Sequence, residues 1–226
     1  MESDSANRDV SPGTAELPTT TRATIASGFG LLYKIIIAQL VVAVLAIAAS
    51  LLSSPWESPD PAWLVVISQP VFVSLEVLAF VAWRRLLVDP GAGAYPVERG
   101  RIRICVTIRL IATVIGSAIQ VGTSFGAPVV LSTFVSAPVG LISSIAFLCL
   151  YFFSMDYFAR IARLWCSDAL GDRIDAQVWK LILWATLGAL ILVGPFVALL
   201  RYLRMLEQLR LAAMESTEAD PRLISR

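Results

Sequence analysis

Two ionisable side chains, Glu76 and Arg109, lie inside long apolar stretches of this sequence. At about 1.5 Å of helix per residue, Glu76 lies roughly 10 Å from Trp83, where its stretch ends. Arg109 lies about 9 Å from Arg103, where the next stretch begins. One charge in hydrocarbon costs about 2.5–3.5 kcal/mol, so we predict that Glu76 and Arg109 pair inside a helical bundle. The alternative is that Arg109 extends to the interface and Glu76 is protonated.

Further charges flank the apolar stretches, interleaved with aromatic residues. Arginines in such positions are typical of the cytoplasmic ends of membrane-spanning helices. They are also candidate contacts for anionic lipid headgroups, worth about 1 kcal/mol each near the surface. The simpler interpretation is that they only set the topology. The candidates are Arg84, Arg85, Arg99, Arg101, Arg103, Arg160 and Arg163.

Other kinds of site find little support in the sequence. The chain has no histidine, which removes the commonest general base and metal ligand, and its three cysteines lie far apart. The patterns GxSxG, HExxH, CxxC and the phosphate-binding P-loop are absent. We therefore predict no catalytic residues, no metal and no cofactor. The net charge of +1 gives no basic field for a nucleic-acid partner.

The composition indicates the environment of Glu76 and Arg109. Of the 226 residues, 57% are hydrophobic and 15% are charged, whereas soluble domains carry roughly 25% charged residues. We predict an all-α, multi-pass membrane helix bundle with about five transmembrane helices, covering residues 28–214. The flanking segments, 1–27 and 215–226, are predicted to be a disordered N-terminal tail and a polar C-terminal tail.

The five predicted spans are apolar runs of about the length that crosses a bilayer, which is roughly 20 residues. Residues 123–138 are predicted to hold a short helix from Pro128, either interfacial or re-entrant. Gly171 and Asp172 are predicted to be helix caps between the last two spans. The spans are approximately residues 31–52, 63–83, 104–122, 139–165 and 179–200.

The positive charges predict which side of the membrane each connection occupies. With a cytoplasmic N-terminus, the inner segments hold eleven Lys and Arg residues near the span ends, and the first two outer connections hold none. Five crossings, however, would place Arg201, Arg204 and Arg210 outside, against the same rule. The expected position of the C-terminus is therefore in conflict with its charge.

Three functions of different classes are compatible with this sequence. The first is a non-enzymatic membrane protein with an accessory or structural role, which the missing motifs favour. The second is a transporter or channel component that uses Glu76 and Arg109. The third is a membrane enzyme that modifies lipid. The expected partner in every case is the lipid bilayer, including its anionic lipids.

The orientation can be tested by cysteine labelling in a background without the native cysteines. We expect Gly93→Cys to be protected from an impermeant thiol reagent added to intact cells, and Ser58→Cys to be labelled. The reason is that five arginines flank Gly93 and none flanks Ser58. Labelling at Gly93 with protection at Ser58 would show the inverted orientation.

Overall fold

A computed structural model describes residues 19–52, 62–90, 95–126, 129–165, 167–186 and 194–218 of the chain. All regular secondary structure within those ranges is helical. The helices are α1 (Thr19–Leu52), α2 (Ala62–Leu86), α3 (Pro96–Ser124), α4 (Val129–Trp165), α5 (Asp168–Thr186) and α6 (Gly194–Glu218).

Helices α1 to α4 each contain a segment long and apolar enough to cross a membrane. Those segments are Thr20–Ala46, Val65–Leu86, Pro96–Ser124 and Phe134–Trp165. The predicted all-α membrane helix bundle is thus confirmed. The predicted fifth span is distributed over α5 and α6, and its central residues, 187–193, lie outside the described part of the chain.

The start of α1, the end of α2, the start of α3 and the end of α4 meet at one end of the bundle, here called the basic end. Phe158 of α4 stacks on Trp83 of α2 at 5.8 Å and meets Phe29 of α1 edge-on at 5.1 Å. The Tyr157 hydroxyl donates a hydrogen bond to the Leu86 carbonyl oxygen at 3.0 Å. These aromatic residues belong to the hydrophobic core of the described structure.

Helices α5 and α6 close the bundle into a ring. The six helices contact one another in chain order, and α6 also packs against α1. Helix α5 folds back along α4, where Arg163 forms ion pairs with Asp172 and Asp175. A Cβ atom at Gly171 would lie 2.9 Å from the Ala159 carbonyl oxygen. Glycine is therefore needed there because the two helices approach too closely for a side chain.

Three local expectations differ from the structure. Helix α1 begins at Thr19, inside the predicted disordered tail, and Ile25 is fully buried. Helix α4 is continuous from Val129 to Trp165, so the short helix predicted before Pro138 is part of α4 and Pro138 does not end it. Proline removes one backbone hydrogen bond, and membrane helices tolerate that loss when neighbouring groups compensate. Gly171 and Asp172 lie within α5, which begins at Asp168, and neither is a cap.

The direction of α6 bears on the expected position of the C-terminus. Ala198 and Tyr202, near the start of α6, line the same cavity as the α1 residues from Leu32 to Gln39. Further along, Arg210 lies 3.5 Å from the position of a Cβ atom on Gly30, near the start of α1. Helix α6 therefore runs towards the basic end and ends on the side where α1 begins. Because the later part of α6 lies at the basic end, we expect the C-terminus on the same side as the N-terminus, where Arg210 would satisfy the charge rule.

We expect a reporter fused after Thr217 to give the same compartment signal as one fused to the N-terminus. An alkaline phosphatase and a green fluorescent protein fusion at each terminus would measure this, because the two are active on opposite sides of a bacterial inner membrane. Opposite signals from the two termini would contradict the packing of α6 against α1.

Candidate functional site: a polar cluster beside an apolar cavity

The structure brings Glu76 of α2 and Arg109 of α3 into direct contact. Nη2 of Arg109 donates a hydrogen bond to Oε1 of Glu76, and the two side chains form an ion pair. Their exposed fractions are 11% for Glu76 and 24% for Arg109. Both residues lie near the middle of segments able to cross a membrane. The arrangement is the one that compensates the cost of two charges in an apolar environment.

Helices α1 and α4 complete the surroundings of this pair. Nε2 of Gln39 donates a second hydrogen bond to Oε1 of Glu76 at 2.9 Å. The guanidinium carbon of Arg109 lies 5.1 Å from the centre of the Phe147 ring, in cation–π geometry. The ion pair joins α2 to α3, and the contacts of its two side chains with Gln39 and Phe147 link it to α1 and α4. We call Gln39, Glu76 and Arg109 the polar triad.

The polar triad lines a partly open cavity of about 380 Å³ bordered by α1, α2, α3, α4 and α6. Such a volume falls within the range of roughly 300–1,000 Å³ typical of small-molecule sites. Most of the lining is aliphatic or aromatic, as in Leu32, Ile35 and Phe147. A few convergent polar groups on a mainly apolar wall are the usual composition of a ligand site.

A second group of polar side chains lies on the α4 and α6 walls of this cavity. The Ser154 hydroxyl donates to the Tyr151 carbonyl oxygen at 2.8 Å and is hydrogen-bonded by Tyr202. The rings of Tyr151 and Tyr202 are 5.8 Å apart. The Tyr151 hydroxyl is buried and has no hydrogen-bond partner among the described residues. A buried polar atom without a partner costs about 1–3 kcal/mol, so this hydroxyl is a candidate contact for a ligand.

The arginines proposed as lipid contacts are not equivalent in the structure. Arg99 pairs with Asp89, Arg160 with Asp156 and Glu98, and Arg163 with Asp172 and Asp175. Arg103 donates to the Leu87 carbonyl oxygen at 3.1 Å, and Arg101 lies over the Phe153 ring. Arg84 and Arg85 are exposed, with no ion pair in the described ranges. Most of the seven therefore hold the basic end together.

Several cavity residues were missed by the sequence reasoning. Gln39 could have been identified from the sequence, because it is a strongly polar residue in an apolar run. Ser154, Tyr151 and Tyr202 could not, since serine and tyrosine are common at helix ends near the interface. Tyr202 joins Tyr151 and Ser154 only because α6 packs beside α4 and α1.

Comparison of the chain with protein-family models, curated proteins and solved structures found no match.

A charge exchange tests the ion pair. We expect Glu76→Arg or Arg109→Glu alone to lower the yield and the melting temperature of the protein in detergent, because breaking one half of a buried pair costs about 3–5 kcal/mol. The double exchange should recover most of the loss. Size-exclusion chromatography and thermal unfolding would measure both quantities. Additive losses in the double variant would show that the two charges do not stabilise each other.

Proposed function

We propose that this chain is a multi-pass, non-enzymatic membrane protein that binds a small, mainly apolar ligand in its central cavity. The observation that carries the proposal is the polar triad on the wall of an otherwise apolar cavity. Neither a catalytic motif nor a cofactor motif occurs in the sequence, which favours binding without chemical transformation.

The charge of the triad limits the class of ligand. Glu76 and Arg109 neutralise each other, so the cavity wall has no net charge from its described residues. Arg109 has five N–H donors, and one of them is used in the ion pair. Glu76 retains acceptor capacity, since both recorded hydrogen bonds reach its Oε1 atom. An uncharged headgroup with donors and acceptors, such as a glycerol or an amide, matches these properties.

Translocation of that ligand is the second candidate function. It is favoured by the depth of the triad, near the middle of α2 and α3, where polar groups in transporters commonly contact their substrates. Binding is the step that both candidates share, so the binding test comes first.

Photolabelling of the protein in nanodiscs tests the binding proposal. The probe is a monoacylglycerol with a diazirine in its tail, and mass spectrometry locates the label. We expect saturable labelling of cavity residues such as Leu150 and Leu199, which unlabelled monoacylglycerol suppresses. Analogues with a carboxylate or an ammonium headgroup should label these residues more weakly, because the triad has no net charge to compensate theirs.

A cavity-filling variant provides the matched control. Ala198→Phe places a ring at the cavity wall and should reduce the saturable labelling several-fold. Ala118→Phe adds the same ring on an exposed part of α3 and should leave the labelling unchanged. Label found only on outward-facing residues such as Leu45 and Leu141, or equal labelling in both variants, would contradict the proposal.

A further inference from the structure

A second, open groove lies between α1 and α6 at the basic end, and it is unrelated to the central cavity. Its volume is about 600 Å³. Small residues of α1, including Ala23, Ala26 and Gly30, form its floor. Three cations from three helices line it: Lys34 of α1, Arg85 of α2 and Arg210 of α6. We propose that this groove binds the phosphate headgroup of an anionic phospholipid.

The charge balance of the groove supports an anionic occupant. Lys34 and Arg85 are exposed and form no ion pair with the described residues. Arg210 has one carboxylate neighbour, Glu207, at 3.3 Å. The groove thus keeps a net positive charge, whereas Arg160 and Arg163 at the same end of the bundle are matched by acids. An anion that enters the groove gains attraction without breaking a buried pair.

The shape of the groove follows from the small side chains on α1. A Cβ atom on Gly30 would be in ordinary contact with Arg210, at 3.5 Å from its Cδ atom. A large side chain at this position would therefore fill the space between Lys34 and Arg210. Glycine and alanine leave that space open to a phosphate group and its glycerol.

The position of the groove favours a lipid over a free anion. Ile37 and Val41 lie three and seven residues after Lys34, so helical geometry places them on the same face of α1. Both are exposed, by 36% and 50%. A lipid whose phosphate contacts Lys34 can lay its acyl chain along this apolar face. A soluble phosphate has no acyl chain and would make no favourable contact with this apolar face.

Native mass spectrometry of the full chain in a neutral detergent tests the proposal. The probes are phosphatidylglycerol and phosphatidylcholine with identical acyl chains, and inorganic phosphate as the soluble anion. We expect phosphatidylglycerol to bind at least tenfold more tightly than phosphatidylcholine. We also expect inorganic phosphate at the same concentration not to displace it.

Variants locate the site. Lys34→Gln and Arg85→Gln should each weaken the binding of phosphatidylglycerol about fivefold, the effect of one cation near an anionic headgroup. Arg84→Gln removes an exposed arginine beside Arg85 but outside the groove, and it should have a smaller effect. Lys34 and Arg85 are exposed and form no ion pair with the described residues. The melting temperatures of Lys34→Gln and Arg85→Gln without added lipid should therefore equal that of the unmodified protein.

Three results would overturn the proposal. Equal affinity for the two lipids would show that the headgroup charge is not recognised. An equal loss in Arg84→Gln and Arg85→Gln would show that only the general charge of the basic end matters. Displacement of the lipid by an equal concentration of inorganic phosphate would identify a soluble anion as the ligand.

Discussion

The contact between Glu76 and Arg109 is the constraint on which the rest of this bundle depends. Two charges among apolar helices are tolerated only if each compensates the other, and the contact fixes α2 against α3. The hydrogen bond from Gln39 and the packing of Arg109 on Phe147 extend that constraint to α1 and α4. Apolar packing alone allows neighbouring membrane helices to rotate against each other, whereas a directional ion pair does not. The cavity beside the pair therefore has a defined polar wall.

Burial is distributed unevenly along the helices, and this determines where sites can form. At the basic end, Phe29, Leu86 and Tyr157 are buried as in the core of a soluble protein. Further along the same helices, Leu45, Ile67 and Leu141 are more than 60% exposed, as expected where lipid surrounds the protein. The central cavity lies between the tightly packed basic end and the exposed part of the helices. Tight packing on one side positions its polar groups, and the looser packing beyond leaves space for a ligand.

Helix α6 has two effects that its own sequence does not reveal. It closes the ring against α1, which supplies the last wall of the cavity and one side of the basic groove. It also returns the chain to the basic end, so that Arg210 joins Lys34 and Arg85. The same helix therefore contributes to both proposed binding sites, at opposite ends of its length. Arg210 thus lies beside other cationic residues, as the charge rule favours.

The sequence by itself determined the all-helical membrane architecture, because apolar runs of bilayer length admit no other regular structure in lipid. It also singled out Glu76 and Arg109, since an isolated charge in such a run requires a partner. It did not determine how α5 and α6 pack, because the length of an apolar run does not show which helices will contact its flanking residues. Nor did it identify Tyr151 and Tyr202 as neighbours, or distinguish Arg85 from the paired Arg163. Those relations depend on which helix faces pack together, and only the closed ring of helices decided them.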